Sequence, residues 1–123
     1  MSIAENIAQV RANMVDACRR AGRKEDEVKL IAVTKYVAED RIAEAFACGL
    51  MTVGENHAQE VRDKLTFYKQ YGAELHFIGQ LQSNKVKYII GNARLIQSAD
   101  REKLLVDMDA QAGKLDLVQG ILL

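Results

Sequence analysis

Leu30-Ile31-Ala32-Val33-Thr34-Lys35 is the stretch whose reading decides the fold. It is too short for a helix, rich in strand formers and apolar on both faces, so it predicts a buried parallel strand ended by Lys35. Immediately afterwards the spacing turns helical. Ile42, Ala43, Phe46 and Ala47 place one apolar stripe on a helix over Glu39 to Cys48, and Gly49 closes it. A short strand followed by a helix is one βα unit.

Outward from that unit the pattern repeats. Met51-Thr52-Val53 is a brief strand leading into Gly54-Glu55-Asn56, and a helix follows through Ala58, Val61, Leu65 and Tyr68 to Gly72. Leu75-His76-Phe77-Ile78 is a third strand ended by Gly79, followed by a short helix from Ser83 to Ile90 with Ser83 as its N-cap. Arg94-Leu95-Ile96-Gln97-Ser98 is a fourth strand. Asp100 can cap a helix carrying Leu104, Leu105, Met108 and Ala112, with Gly113 as its stop. Leu117-Val118 and Ile121-Leu122-Leu123 begin a further strand. On the other side, Ile3, Ile7, Val10, Met14 and Cys18 form the stripe of a leading helix that Gly22 terminates.

Strands thus recur about every 20 to 25 residues with one helix between each pair, an α/β pattern built on a parallel sheet. No Gly-x-Gly-x-x-Gly follows the first strand, which removes the usual support for a dinucleotide-binding doubly wound sheet. The spacing favours the N-terminal half of a (β/α)8 TIM-type barrel, about four βα units plus a leading helix and a partial fifth strand. A complete barrel typically needs ~250 residues, and this chain has 123. Residues 1–123 are therefore expected to form a single, truncated barrel domain. The alternative is a half-barrel that self-associates through its open edges, because unpaired edges template further pairing.

Composition narrows the function classes. Hydrophobic residues make up 49% of the chain, as in a globular core. With 17 basic and 17 acidic residues the formal charge is zero, which argues against a dedicated nucleic-acid or anionic-membrane surface. No apolar run approaches the roughly 18 residues of a membrane span, and the N-terminus lacks the layout of a signal peptide. Cys18 and Cys48 stand far apart in helical patterns and read as reduced thiols rather than a disulfide or metal site, so a cytoplasmic location is expected.

Chemistry in a barrel gathers at the C-terminal ends of the strands. There the sequence places Lys35, then Glu55 and Asn56, then Gly79 to Asn84, then Gln97 and Ser98. Lys35 is either a solvent-facing strand-end lysine or an amine held in a packed interior, where burial lowers its pKa and suits it to condense with an aldehyde. His76 is either a core histidine satisfied by one backbone hydrogen bond or a group facing a ligand ring. Asn56 divides between a cap of the following helix and a ligand contact. Ser83 and the Ser98-Asp100 pair read first as helix caps.

Three blocks then carry a resemblance: Ala32-Val33-Thr34-Lys35, Gly54-Glu55-Asn56, and His76-Phe77-Ile78-Gly79-Gln80-Leu81-Gln82-Ser83-Asn84-Lys85. In order and spacing they resemble the pyridoxal-phosphate homeostasis protein family, and the likeness runs through essentially all of the chain. It implies an alanine-racemase-like barrel that holds pyridoxal 5'-phosphate (PLP) as an internal aldimine on Lys35, with Asn56 and His76 at neighbouring cofactor-binding positions. It implies PLP homeostasis without an established catalytic reaction, with PLP-dependent apoenzymes as partners. Two departures stand out. Tyr36-Val37-Ala38 follows Lys35 where many relatives carry a second lysine and a proline, and the family's main phosphate-binding segments lie in a second half that this sequence does not contain. Competing readings are an amino-acid racemase-like enzyme, disfavoured because Tyr36-Val37-Ala38-Glu39 does not match the Tyr-Gly-bearing segment that usually follows the lysine in such racemases, and a half-barrel fragment without PLP activity.

Overall fold

A computed structural model describes all residues 1–123. Helix α1 (Ile3–Ala21) starts in a complete capping box, in which Ser2 Oγ accepts the Glu5 N–H while the Glu5 carboxylate accepts the Ser2 N–H. It stops at Gly22, whose φ of 67° is left-handed. Five strands then alternate with four helices: β1 (Ala32–Val33), α2 (Glu39–Ala47), β2 (Thr52–Glu55), α3 (Ala58–Tyr71), β3 (Glu74–Phe77), α4 (Val86–Ile89), β4 (Leu95–Ile96), α5 (Glu102–Lys114) and β5 (Gly120–Ile121).

Every strand pairs in parallel with the next one in sequence, giving the order β1-β2-β3-β4-β5. This order decides between the two α/β architectures. A doubly wound sheet reverses its strand order at a switch point, whereas a barrel adds each strand on the same side of the last. The chain has the architecture of half of a (β/α)8 barrel, as the spacing predicts.

One face of the sheet is covered. Val53, Leu75, Phe77 and Ile96 meet Ile42 and Phe46 of α2, Val61 and Tyr68 of α3, Ile89 of α4, and Leu104 and Met108 of α5 in a single buried cluster. Side chains alternate along a strand, so the intervening positions point the other way. Val33, Gly54, His76, Leu95 and Gly120 form one cross-strand row on that second face, which no helix covers.

Several local expectations shift. The first strand is not buried on both faces: Ala32 is half-buried toward the helices, and Val33 is 52% exposed because its side chain lies on the open face. Ser83 begins a 3-10 turn and does not cap α4, and Asp100 pairs with Arg101 at 3.0 Å instead of capping α5. Helix α5 runs through Gly113, and the left-handed residue beyond it is Asp116, at φ 52°, a residue type that tolerates that region. On α3, Lys64 is buried where Leu65 is expected to face the sheet; Leu65 is half-buried beside it. Cys18 is buried, Cys48 is half-buried, and both are free thiols. No helix is long and apolar enough to cross a membrane.

Candidate functional site

The pairing continues past the strand ends. Thr34 N–H donates to Gly54 O at 3.0 Å, Ile78 N–H to Glu55 O at 2.9 Å, and Gln97 N–H to Phe77 O at 2.9 Å. Two residues beyond the Val33 row, this register places Lys35, Asn56, Ile78 and Gln97 along the C-terminal rim of the open face. A Cβ built on Gly54 would meet Ile78 Cδ1 at 2.8 Å and Ile31 Cγ2 at 3.1 Å, which puts those side chains on this face too. Gly79 has a different role. A Cβ there would run into the backbone of Asn56, so only glycine lets the end of β3 close on the segment after β2.

Lys35 sits at the second position of a β-turn, in which Val37 N–H donates to Thr34 O at 3.0 Å. The third position, Tyr36, has φ 61°. Glycine is the usual occupant of such a position, and a bulky residue there costs roughly 1–2 kcal/mol. The Lys35 side chain is exposed. A packed interior around it is not found, because it lies at a turn tip on the face without helices.

The turn rests on a buried polar cluster that sequence reasoning missed. Glu55 is fully buried, and its Oε2 accepts hydrogen bonds from Thr34 Oγ1 at 2.9 Å, Lys64 Nζ at 3.1 Å and the Tyr68 hydroxyl. Lys64 Nζ also donates to Thr34 O at 2.8 Å and to Glu60 Oε2 at 2.9 Å. The same Glu60 oxygen accepts the Tyr36 N–H at 2.8 Å, and the Tyr36 hydroxyl lies 3.0 Å from His57 Nε2. Burial alone would raise the Glu60 carboxyl, but the bonds from Lys64 and the Tyr36 N–H outweigh it and hold it below its usual value. Burial, reinforced by the bond to Glu55, pushes the Tyr68 phenol well above its usual value.

His76 is buried on the other face of the sheet. Its Nε2 lies 2.8 Å from Glu74 Oε2, and its Nδ1 lies 3.0 Å from Gln97 Nε2. The Gln97 amide can only donate through nitrogen, which leaves the ring proton on Nε2, facing Glu74. The ring is therefore held by two side chains rather than by a backbone group. Glu74 also accepts Lys29 Nζ at 2.6 Å. The bonds from Lys29 and then His76 keep its carboxyl below the usual range. Asn56 is not a cap, since His57 occupies the N-cap of α3. Its Oδ1 is buried and has no hydrogen-bond partner, a state shared by Glu55 Oε1 and Glu60 Oε1 in the polar cluster.

Lys35, Asn56 and His76 share a sheet face but not a cavity. Asn56 lines a pocket of about 510 Å³ with Gln80, Lys85 and Arg101. His76 lines a separate pocket of about 650 Å³ with Lys29, Glu74 and Arg94. Lys35 lines neither. One signal for the missed cluster was present in the sequence: Glu60, Lys64 and Tyr68 recur at steps of four, which places a carboxylate, an amine and a phenol on one helix stripe.

No family model matches the chain. Among curated proteins, it is 41% identical over 123 residues to the pyridoxal phosphate homeostasis protein of Aquifex aeolicus, covering all of this chain and 54% of that one. It is 38% identical over 112 residues to the protein of the same name in Escherichia coli K12, covering 89% of this chain and 48% of the relative. Among solved structures, PipY of Synechococcus elongatus PCC7942 without PLP superposes with a TM-score of 0.81 at 30% identity, over 98% of this chain and 52% of that one. PipY with PLP bound gives 0.74 at 30% identity, over 90% of this chain and 52% of that one. The chain spans about half the length of the curated relatives it matches.

Proposed function

Because this chain is a half-length relative of the pyridoxal phosphate homeostasis proteins, we propose that it binds PLP non-catalytically through Lys35, in the service of PLP homeostasis. The observation that carries this reading is the rim itself. Lys35 is an exposed primary amine at the C-terminal end of a barrel-type strand, the end at which such folds place their chemistry. Beside it in register stands Asn56, with an acceptor that no protein group satisfies. An exposed amine with an unpartnered amide oxygen beside it in register suits an aldehyde cofactor that carries a ring hydroxyl.

When bound, PLP supplies an aldehyde that a lysine amine captures covalently and a ring whose polar atoms need partners. The chain's own residues do the rest. Lys35 presents the amine. Asn56 offers an acceptor through Oδ1. His76, fixed by Glu74 and Gln97, lines the open face below. The proposal extends to PLP-dependent apoenzymes as recipients of the cofactor and to a cytoplasmic setting.

Incubation with PLP, borohydride reduction and peptide mass spectrometry test the reading. Lys35 should carry most of the pyridoxyl label. Label spread evenly over surface lysines such as Lys24 and Lys69 would rule out Lys35 as a dedicated site.

A further inference from the structure

The proposed role of Lys35 leaves the buried charges beneath it without a task. An apolar stripe would cover the sheet more cheaply, because desolvating an ion pair commonly costs more than the pair returns. Yet α3 places Lys64 and Glu60 directly under the turn, and their contacts are specific. The peptide group before Lys35 is held through Thr34 O, which accepts Lys64 Nζ at 2.8 Å. The peptide group after Lys35 is held through Tyr36 N–H, which donates to Glu60 Oε2 at 2.8 Å. Lys64 and Glu60 are joined to each other at 2.9 Å, and Lys64 is anchored to the fully buried Glu55 at 3.1 Å.

The held segment is also strained. Tyr36 adopts φ 61°, and a bulky residue stays there only where its surroundings over-determine it. Here they do: one carboxylate holds its N–H and His57 meets its hydroxyl. The bracketed residue between the two held peptides is Lys35. Its side chain is exposed, so the backbone is the element by which the fold can aim it.

We propose that Glu60 and Lys64 are positioning residues for Lys35, clamping the peptides on either side of it so that its amine is presented at the rim in one orientation. This rests on the reading of Lys35 as the cofactor lysine. It adds a function for a cluster on the opposite face of the sheet, which touches no ligand itself. Fixing a reacting group in advance raises its effective concentration toward a bound partner, and that gain is lost when the turn moves.

The test compares Glu60→Ala, Glu60→Gln and Ile89→Val with the unaltered chain. Two quantities are read: the ratio of borohydride-trapped pyridoxyl label on Lys35 to that on Lys24 and Lys69, and amide hydrogen exchange over residues 34–37. In Glu60→Ala the Tyr36 amide should exchange about tenfold faster, as expected for losing a bond to a charged acceptor, and the label ratio should drop about fivefold or more. Glu60→Gln keeps an oxygen facing the Tyr36 N–H and should recover part of both. Ile89→Val, a core change on α4, should lower Tm and leave the ratio as it was. A folded Glu60→Ala protein with the unaltered ratio overturns the clamp. So does an Ile89→Val protein whose ratio falls as far, since the effect would then be stability alone. If the unaltered chain shows no preference for Lys35, the cofactor-lysine reading fails, and unchanged Tyr36 exchange in Glu60→Ala would remove the clamp separately.

Discussion

The two faces of this sheet come from the same five strands, and residues one position apart belong to different chemistries. Toward the helices, Val53, Leu75, Phe77 and Ile96 build a closed apolar core, interrupted only where Thr34 and Glu55 meet Lys64 and Tyr68. Toward the open side, Val33, Gly54, His76 and Leu95 lie without a covering layer, and Lys35, Asn56 and Gln97 follow at the rim. The helix face carries its charges as a bonded network around Lys64, in which one oxygen each of Glu55 and Glu60 is bonded while Glu55 Oε1 and Glu60 Oε1 stay without a partner. The open face leaves the amine of Lys35 exposed at its rim. Stability should therefore reside on the first face and reactivity on the second, and substitutions can be chosen to break that division.

The largest effect is expected from Lys64→Ala. Removing the amine leaves Glu55 with a buried, uncompensated carboxylate, and breaking a buried ion pair in this way costs about 3–5 kcal/mol. Urea denaturation should show that loss as a lower midpoint at similar slope. A loss under 1 kcal/mol would mean that water reaches Glu55 and that the helix face is not closed over β2.

That cluster also marks the boundary of what was legible in the sequence. The alternation of short apolar runs with helical stripes was enough for the parallel sheet, since a period of 2 and a period of 3.6 leave different patterns. The rim positions of Lys35, Asn56 and Gln97 followed from the strand ends. The burial of Lys64 did not, because Val61-Leu65-Tyr68 and Val61-Lys64-Tyr68 are equally good helical spacings, and only the charge of Glu55 across the interface selects the second. The turn at Tyr36 was hidden for a similar reason. Its N–H bonds to Glu60, 24 residues away, and the local Thr34-Lys35-Tyr36-Val37 stretch has no glycine to mark a left-handed position. His76 was read as held by backbone or ligand, and its partners Glu74 and Gln97 come from its own strand and the neighbouring one.

A smaller effect should appear on acidification, and it involves both faces. Glu60 on the helix side and Glu74 on the open side both have folded-state carboxyls held below their usual value. A lowered folded value means that the stabilisation is complete above the unfolded glutamate value of about 4.3 and is lost as pH falls through the lower, folded ones. Tm measured from pH 6 to pH 3 should therefore be level at first and then decline. Glu60→Gln should remove the helix-side share of that decline, and Glu74→Gln the open-side share. A profile that both variants leave unchanged would assign the acid sensitivity to other carboxylates.

The smallest effect on stability, and the sharpest on chemistry, belongs to Lys35→Met. The side chain is exposed at a turn tip, and substitutions at such positions usually stay within about 0.5 kcal/mol. The clamp acts on backbone atoms of Thr34 and Tyr36, so it survives loss of the amine. Tm and the exchange protection of the Tyr36 amide should consequently match those of the unaltered chain, while borohydride-trapped label at position 35 disappears and does not migrate to Lys64. That last point is informative, because Lys64 is an amine on the other face that bonds the Thr34 carbonyl beneath the turn and is committed to it, Glu55 and Glu60. If Lys64 took up the label when Lys35 is gone, the sheet would not separate a stabilising face from a reactive one, and the division drawn between them would have to be abandoned.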